Sequence, residues 1–275
     1  MMKNCAILHN GVSMPMLGLG TYRMEDGAAT IQTIQRALDL GYRHIDTASF
    51  YRNERSVGKA IRESNVARDE IFLTTKVWNA DQGYDATLHA FDVSMKKLGL
   101  DTLDLYLIHW PVPALYTETW RALVRLYREK RVRAVGVSNF NIHHIEDLLA
   151  AGEMTPMVNQ VEFHPRLAQP ELLDFCKTHK IQMVAWCPLM RGKVDKIPAL
   201  KNLAKKYDRT PAQIVLRWDN QMGVAAIPKT THETRMKENL EALDFSLTPD
   251  DMLTIARLDT GSRLNPRQDP DHFDF

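Results

Sequence analysis

Four side chains able to move or steer a proton stand at or just beyond the ends of successive apolar runs. The run through Ile45 delivers Asp46, with Tyr51 a few residues on. Ile71 to Thr75 ends at Lys76, and Leu103 to Ile108 ends at His109. A free tyrosine titrates near about 10, which makes it a reluctant proton donor at neutral pH. A neighbouring ammonium stabilises the phenolate and lowers that value. Lys76 is therefore expected to acidify Tyr51, with Asp46 holding Lys76 protonated and aimed. His109 is expected to orient a carbonyl or to share the proton path. Tyr51 then serves as general acid in one direction and general base in the other. Such a set suits polarisation of a carbonyl followed by hydride delivery from a nicotinamide. Taken singly, each residue has an ordinary alternative: a loop cap, a solvated lysine, a structural histidine. Their succession on neighbouring chain segments is what favours a shared site.

The elements that position these residues follow from periodicity. Ala6 to Leu8, a turn at Asn10-Gly11 and Val12 to Leu17 read as a hairpin, with both turn residues expected to tolerate positive φ. Met16 to Gly20 reads as a first buried strand, followed by strands through Ile45-Asp46, Ile71 to Lys76, Leu103 to His109, Val132 to Val137, Met157 to Val161, Ile181 to Ala185 and Val224 to Ile227. Between them lie helical patterns such as Ile31, Ile34 and Leu38 before Gly41, and Leu88, Phe91, Met95 and Leu98 before Gly99. Thr210-Pro211-Ala212-Gln213 carries a capping box with proline at the first helical position, and Thr248-Pro249 opens a last helix. Alternation of strand and helix implies parallel pairing and right-handed crossovers. An open doubly wound sheet shares that alternation. Eight strands, nearly all ending in a chemically capable residue, favour a (β/α)8 TIM barrel with an N-terminal β-hairpin and an additional C-terminal helix. No Gly-x-Gly-x-x-Gly follows a strand, so a dinucleotide here would not use the Rossmann turn.

The totals are compatible with residues 1–275 forming one barrel domain. A composition of 44% hydrophobic and 25% charged residues is that of a globular protein. A net charge of +1 gives no broad electrostatic reason to expect nucleic acid or an anionic membrane as partner. Cys5, Cys176 and Cys187 are sparse, odd in number and without metal-ligand spacing, which suits reduced thiols in a cytoplasm. No long apolar segment follows Lys3, so no leader is expected, and no run approaches a membrane span. His143 and His144 are adjacent on a helix and are expected to point apart, so no metal site is expected. A monomer is expected.

Gly41 to Ala48 with Tyr51, Asn53, Glu54, Val57 and Gly58, then Leu105 to Pro111, Gly136 to Phe140 and Ile227 to Thr230, resemble the ordered motifs of the aldo-keto reductase family. The resemblance runs from the hairpin to about Leu258. Within the family, Trp110 to Ala114 and the short tail are similar to the bacterial 2,5-diketo-gluconate reductase group. It implies an NADPH-dependent reductase of aldehydes and ketones, keto-sugar acids and methylglyoxal among them, with Asp46, Tyr51, Lys76 and His109 as its catalytic residues. It further implies that Ser138, Asn139 and Gln160 bind the nicotinamide carboxamide and that Trp186, tyrosine in many members, stacks on the ring. Gly20, Thr21 and Asp46 would lie along the cofactor. Pro188, Leu189, Arg191 and Lys193 would cover the pyrophosphate. Lys229, Thr230, Thr231 and Arg235 would hold the 2′-phosphate, with Glu238 and Asn239 at the adenine. Tyr22, Phe50, Trp78, His109 and Trp110 would line the substrate pocket, and the short tail implies an open one. Lys229 and Arg235 near a helix start oppose its dipole, which favours a bound anion over ordinary surface charge. Two rivals stand beside this reading: an NADPH-binding regulatory barrel without significant turnover, and an unrelated barrel, such as an isomerase, with no nicotinamide.

Overall fold

The computed structural model describes residues 4–152 and 154–275. Lys3 lies outside the described residues. Strands β1 (Cys5–Ile7) and β2 (Ser13–Pro15) form an antiparallel hairpin in which Ala6 pairs with Met14. Its turn differs from the expected pair of positive φ angles. Only Gly11 adopts one, at 86°, and the Asn10 side chain instead accepts a hydrogen bond from Val12 N at 3.1 Å. An Asn side chain that mimics the next backbone turn serves the same reversal.

Eight parallel strands follow: β3 (Leu19–Gly20), β4 (His44–Asp46), β5 (Phe72–Val77), β6 (Leu103–Ile108), β7 (Val132–Ser138), β8 (Val158–Glu162), β9 (Gln182–Trp186) and β10 (Ala225–Ala226). They pair in chain order from β3 to β10. Leu17 bridges Ala226 in parallel, with Gly18 N donating to Ala226 O at 2.9 Å and Ala226 N to Met16 O at 2.9 Å. The first strand thus meets the eighth, and the sheet closes into a barrel. The open sheet that the alternation also permitted is excluded. The seam continues with Gly20 N donating to Pro228 O at 3.2 Å. Close approach there requires glycine: a Cβ on Gly20 would lie 2.8 Å from Ile227 O.

Helices α1 (Ala28–Asp39), α2 (Glu54–Arg62), α3 (Tyr84–Leu98), α4 (Tyr116–Arg128), α5 (Ile142–Ala150) and α6 (Pro170–Thr178) return the chain after the first six barrel strands. After β9 come α7 (Pro198–Tyr207) and α8 (Pro211–Gln221), and after β10 come α9 (Glu233–Glu241) and α10 (Pro249–Ala256). The capping box that opens α8 is present, Gln213 N donating to Thr210 Oγ1 at 3.2 Å and Thr210 N to Gln213 Oε1 at 2.9 Å. Among the described residues no helix is long and apolar enough to cross a membrane.

Strand side chains alternate between faces. Ile45, Leu73, Tyr106, Ile108, Val135 and Val137 face out and pack with helix residues such as Ile34, Phe91 and Leu123. The alternate set, Phe72, Leu105, Leu107, Ala134, Val158 and Val184, faces in, and Leu8 and Met14 of the hairpin segment join it. The hairpin therefore plugs one end of the barrel. Burying each of the larger of these side chains contributes roughly 1.5–3 kcal/mol, and together they fill the interior as a packed core.

Candidate active site

The inward phase that packs the plug also selects the residues at the other end. Continuing by two residues, His44 leads to Asp46, Phe72 and Thr74 to Lys76, Leu105 and Leu107 to His109, Ala134 and Gly136 to Ser138, Val158 to Gln160, and Val184 to Trp186. All lie at the carboxyl ends of barrel strands, where (β/α)8 enzymes place their sites.

Asp46 and Lys76 are 2% and 0% exposed, and Lys76 Nζ donates to Asp46 Oδ1 at 2.7 Å. A second donation reaches Thr47 O at 2.9 Å. Burial lowers the Lys76 pKa from its ordinary value, and the Asp46 carboxylate opposes that shift. Tyr51 is carried by a short 3-10 turn over Ser49–Tyr51. That turn is anchored by Ser49 Oγ donating to Lys76 O at 3.0 Å, and left-handed Arg52 follows it. Asn53 is buried and locks the same loop: its Nδ2 donates to Thr21 O and Met24 O, each at 3.0 Å, and Thr47 Oγ1 donates to its Oδ1 at 2.7 Å. Lys76 Nζ lies 5.2 Å from the centre of the Tyr51 ring. The His109 ring stands 5.7 Å from it at 74°.

The electrostatics of Tyr51 run opposite to the expected acidification. Burial raises the phenol well above its ordinary 10.0, the Asp46 carboxylate adds to the rise, and Tyr22 adds less. Lys76 gives two of its three donors to Asp46 and Thr47 O, and its ammonium lies beside the Tyr51 ring. Tyr51 consequently keeps its proton throughout the neutral range. His109 is held well below its ordinary 6.5 by burial first and then by the Lys76 ammonium. Its imidazole is neutral at neutral pH, and one ring nitrogen carries a proton to donate.

Ser138 ends β7 in register with Gln160 of β8, and Asn139 follows immediately with left-handed backbone. Their side chains are already engaged with protein groups. Ser138 Oγ donates to Gln160 O at 2.7 Å, and Asn139 Nδ2 donates to His109 O at 3.0 Å. Gln160 Nε2 donates to Asp46 Oδ2 at 2.8 Å, a contact the sequence did not suggest. Trp186 Nε1 donates to Asn139 Oδ1 at 2.8 Å, which fixes the indole beside the strand ends. Pro188, Leu189, Arg191 and Lys193 follow in the next loop, in which Arg191 and Gly192 have left-handed backbone. Thr21 N donates to Asp46 O at 3.0 Å, so Gly20 and Thr21 border the same carboxylate strand.

Lys229, Thr230 and Thr231 lead into α9, which carries Arg235, Glu238 and Asn239. Glu233 is paired with Arg36 at 3.4 Å and Lys237 at 2.7 Å. Among the described residues, neither Lys229 nor Arg235 has a hydrogen-bond or carboxylate partner. Two unanswered cations at a helix start are chemically suited to a phosphate.

Tyr22, Phe50, Trp78 and Trp110 gather as expected. Tyr22 lies 5.1 Å from Tyr51, Phe50 stacks on Trp78 at 3.9 Å, and Trp78 meets His109 edge-on at 5.2 Å. The short tail, expected to leave the pocket open, covers part of it while Tyr22 and Phe50 stay exposed. It folds back, placing Phe273 5.2 Å and Phe275 5.1 Å from Trp110, with Phe275 also stacked at 6.2 Å on Trp78. Trp110 is left only 4% exposed. No local periodicity in residues 263–275 announces this return. The aromatic residues of the tail were the available signal. A separate cleft of about 290 Å³ near the hairpin, lined by Leu8, His9, Lys177 and Met183, contains none of the residues of the strand-end site.

The histidine pair also departs from expectation. The His143 and His144 rings are 4.0 Å apart, and their Nε2 atoms lie 3.1 and 3.5 Å from one oxygen of Asp271. The side-chain torsions bring together what the helical step of the backbone separates.

Residues 16–260 match the aldo/keto reductase family. The chain belongs to that family. It is 54% identical over 274 residues to the uncharacterized oxidoreductase YtbE of Bacillus subtilis, covering 98% of this chain and 97% of the relative. It is 51% identical over 268 residues to the glyoxal reductase of Bacillus subtilis, with 98% and 97% covered. Among solved structures, a mutant of Gox0644 in complex with NADPH superimposes with a TM-score of 0.94 at 41% identity, with 100% of both chains covered.

Proposed function

We propose that this chain is an NADPH-dependent carbonyl reductase that converts small aldehydes and ketones to alcohols, with methylglyoxal and keto-sugar acids such as 2,5-diketo-gluconate as substrates. The observation that carries this reading is the convergence of Asp46, Lys76 and His109 at the carboxyl ends of the strands with Tyr51 on the turn beside them. Family membership, the NADPH-bound Gox0644 neighbour and the glyoxal reductase relative support it. The protein works as a single barrel domain, a monomer in the cytoplasm, with no nucleic acid or membrane partner.

The residues fit the cofactor. Lys229, Thr230, Thr231 and Arg235 would hold a 2′-phosphate, with Glu238 and Asn239 at the adenine and Pro188 to Lys193 along the pyrophosphate. Gly20, Thr21, Ser138, Asn139 and Gln160 would border the nicotinamide, and Trp186 would offer it an aromatic face. Bound there, NADPH supplies the hydride. The neutral His109 donates a hydrogen bond that orients the carbonyl oxygen, and the aromatic rings exclude water. Tyr51 holds the proton that this oxygen takes up. A phenol above its usual pKa still suffices, because the alkoxide formed on hydride addition is a stronger base than a phenolate. Lys76, kept protonated by Asp46, stabilises the phenolate left behind.

NADPH oxidation with methylglyoxal and 2,5-diketo-gluconate tests the reading, alongside quenching of tryptophan emission by NADPH. Quenching together with turnover is expected. Quenching with no turnover across a carbonyl panel would favour the regulatory barrel, and no quenching would favour a barrel without a nicotinamide.

A further inference from the structure

The tail that covers Trp110 is fastened to the start of α5. Asn141 Nδ2 donates to Asp271 Oδ2 at 2.8 Å, and His143 Nε2 lies 3.1 Å from Asp271 Oδ1. His144 Nε2 approaches the same oxygen to 3.5 Å. Two imidazoles and a carboxylate within 4.8 Å of one another resemble the ligand set of a metal ion. The hydrogen bonding of His144 argues otherwise. Its Nδ1 accepts the backbone N–H of Asn141 at 3.1 Å, so the proton of the neutral ring sits on Nε2. A ligating histidine has the reverse arrangement, donating from the nitrogen that does not bind the metal. Burial and neighbouring His143 hold the His144 pKa down to about 4, which keeps that tautomer neutral at working pH. His144 thus presents a donor, not a lone pair, to Asp271.

The cluster is therefore a seat for a carboxylate. Asp271 is two residues from Phe273 and four from Phe275, the rings that close over Trp110 and Trp78. On the far side of the pocket, Asn79 Nδ2 donates to Phe275 O at 3.0 Å. The seat itself lies two residues beyond Asn139, which bonds both His109 O and the Trp186 indole. Tail, pocket roof and histidine strand end are joined within a few bonds.

We infer that Asn141, His143 and His144 form a docking seat for Asp271, and that this clasp, by fixing Phe273 and Phe275 over Trp110 and Trp78, decides which carbonyl substrates the mouth accepts. The inference rests on the reductase reading for its substrate half only. With the clasp closed, a small dicarbonyl is held between the aromatic walls and a two-ring aldehyde is excluded. With it released, the small substrate loses its roof and the large one gains entry. Asn141, His143, His144 and Asp271 are positioning residues, since they act through the tail and touch no reacting atom.

The test compares wild type with Asp271→Ala, Asn141→Ala and the double variant, each first checked for native unfolding behaviour. Acrylamide quenching of tryptophan emission, without cofactor, reads the roof as the change from wild type at Trp78 and Trp110, because Trp120 and Trp218 are fully buried in the core and Trp186, tied to Asn139, is common to all variants. Quenching is expected to rise in all three variants, and by the same amount in the double variant as in either single, as residues of one clasp require. KM for methylglyoxal should rise roughly tenfold, the factor a lost charged hydrogen bond carries. kcat and NADPH affinity should stay near wild type, while kcat/KM for 2-naphthaldehyde rises relative to methylglyoxal. Unchanged quenching and an unchanged substrate ratio in Asp271→Ala would overturn the clasp. So would additive effects in the double variant. If wild type reduces no carbonyl, the reductase reading fails on its own, and the quenching comparison still decides the clasp.

Discussion

Replacing Lys76 by methionine tests the charge arrangement at the mouth. The pair it breaks is almost wholly buried, with 2.7 Å between Lys76 Nζ and Asp46 Oδ1. At an effective dielectric near about 20, that separation corresponds to roughly 6 kcal/mol of attraction. Much of this is offset by the cost of taking both charges out of water. Methionine refills the volume but leaves the Asp46 carboxylate with Gln160 Nε2, at 2.8 Å, as its remaining side-chain donor. Thr47 O loses the Lys76 donor as well. The expected destabilisation is about 3–5 kcal/mol, the cost of stranding one buried charge. Adding Asp46→Asn removes the stranded charge and should restore about 2 kcal/mol or more, the coupling seen between residues in direct contact. Turnover should not return in the double variant, because no cation then faces the Tyr51 ring. Urea unfolding of the single and double variants gives the stabilities by linear extrapolation, and NADPH oxidation gives the activity. A single variant within about 1 kcal/mol of wild type, the range of an exposed ion pair, would refute the reasoning. A double variant as unstable as the single would refute it equally.

Acid should weaken the fold through His44. Burial lowers its pKa from 6.5 to about 4, against the opposing pull of Asp46. The unfolded chain therefore takes up this proton first. The His44 contribution is whole above pH 6.5 and is lost as pH falls through the window to 4, about 3 kcal/mol in all. Urea midpoints measured across that window should fall, and His44→Gln should flatten the slope by about one proton; an unchanged slope would contradict the assignment. At the other end of the site, Lys229→Ala or Arg235→Ala should weaken NADPH about ten- to a hundredfold while leaving NADH nearly unchanged. Titration by tryptophan quenching measures both, and equal losses would remove the 2′-phosphate assignment.

Much of the site was legible because strand periodicity is strict. Asp46, Lys76, His109, Ser138, Gln160 and Trp186 each continue an inward-facing phase set by core residues below them. Once the strands are placed, their meeting at one rim follows. The closure of the barrel was less legible, because Leu17 and Ala226 are far apart in sequence and only two residues of each terminal strand are in the ladder. What could not be read depends on distance or magnitude. Gln160 reaching Asp46 joins β8 to β4 across the barrel interior. The phenol of Tyr51 rises instead of falling because burial, with the Asp46 carboxylate adding to it, sets its direction, and residue types alone do not give burial. His143 and His144 meet at Asp271 because side-chain torsions and a tail contact override the helical step. Phe273 and Phe275 cover Trp110 through a long-range return that no repeat announces.

The central claim is that the Tyr51 hydroxyl supplies the proton taken up by the carbonyl oxygen. Tyr51→Phe removes that proton and keeps the ring against Lys76 and His109. Single-turnover NADPH oxidation with methylglyoxal should slow by about 100-fold or more, the lower range of general acid catalysis, with NADPH affinity unchanged. A variant that turns over at the wild-type rate would contradict the claim.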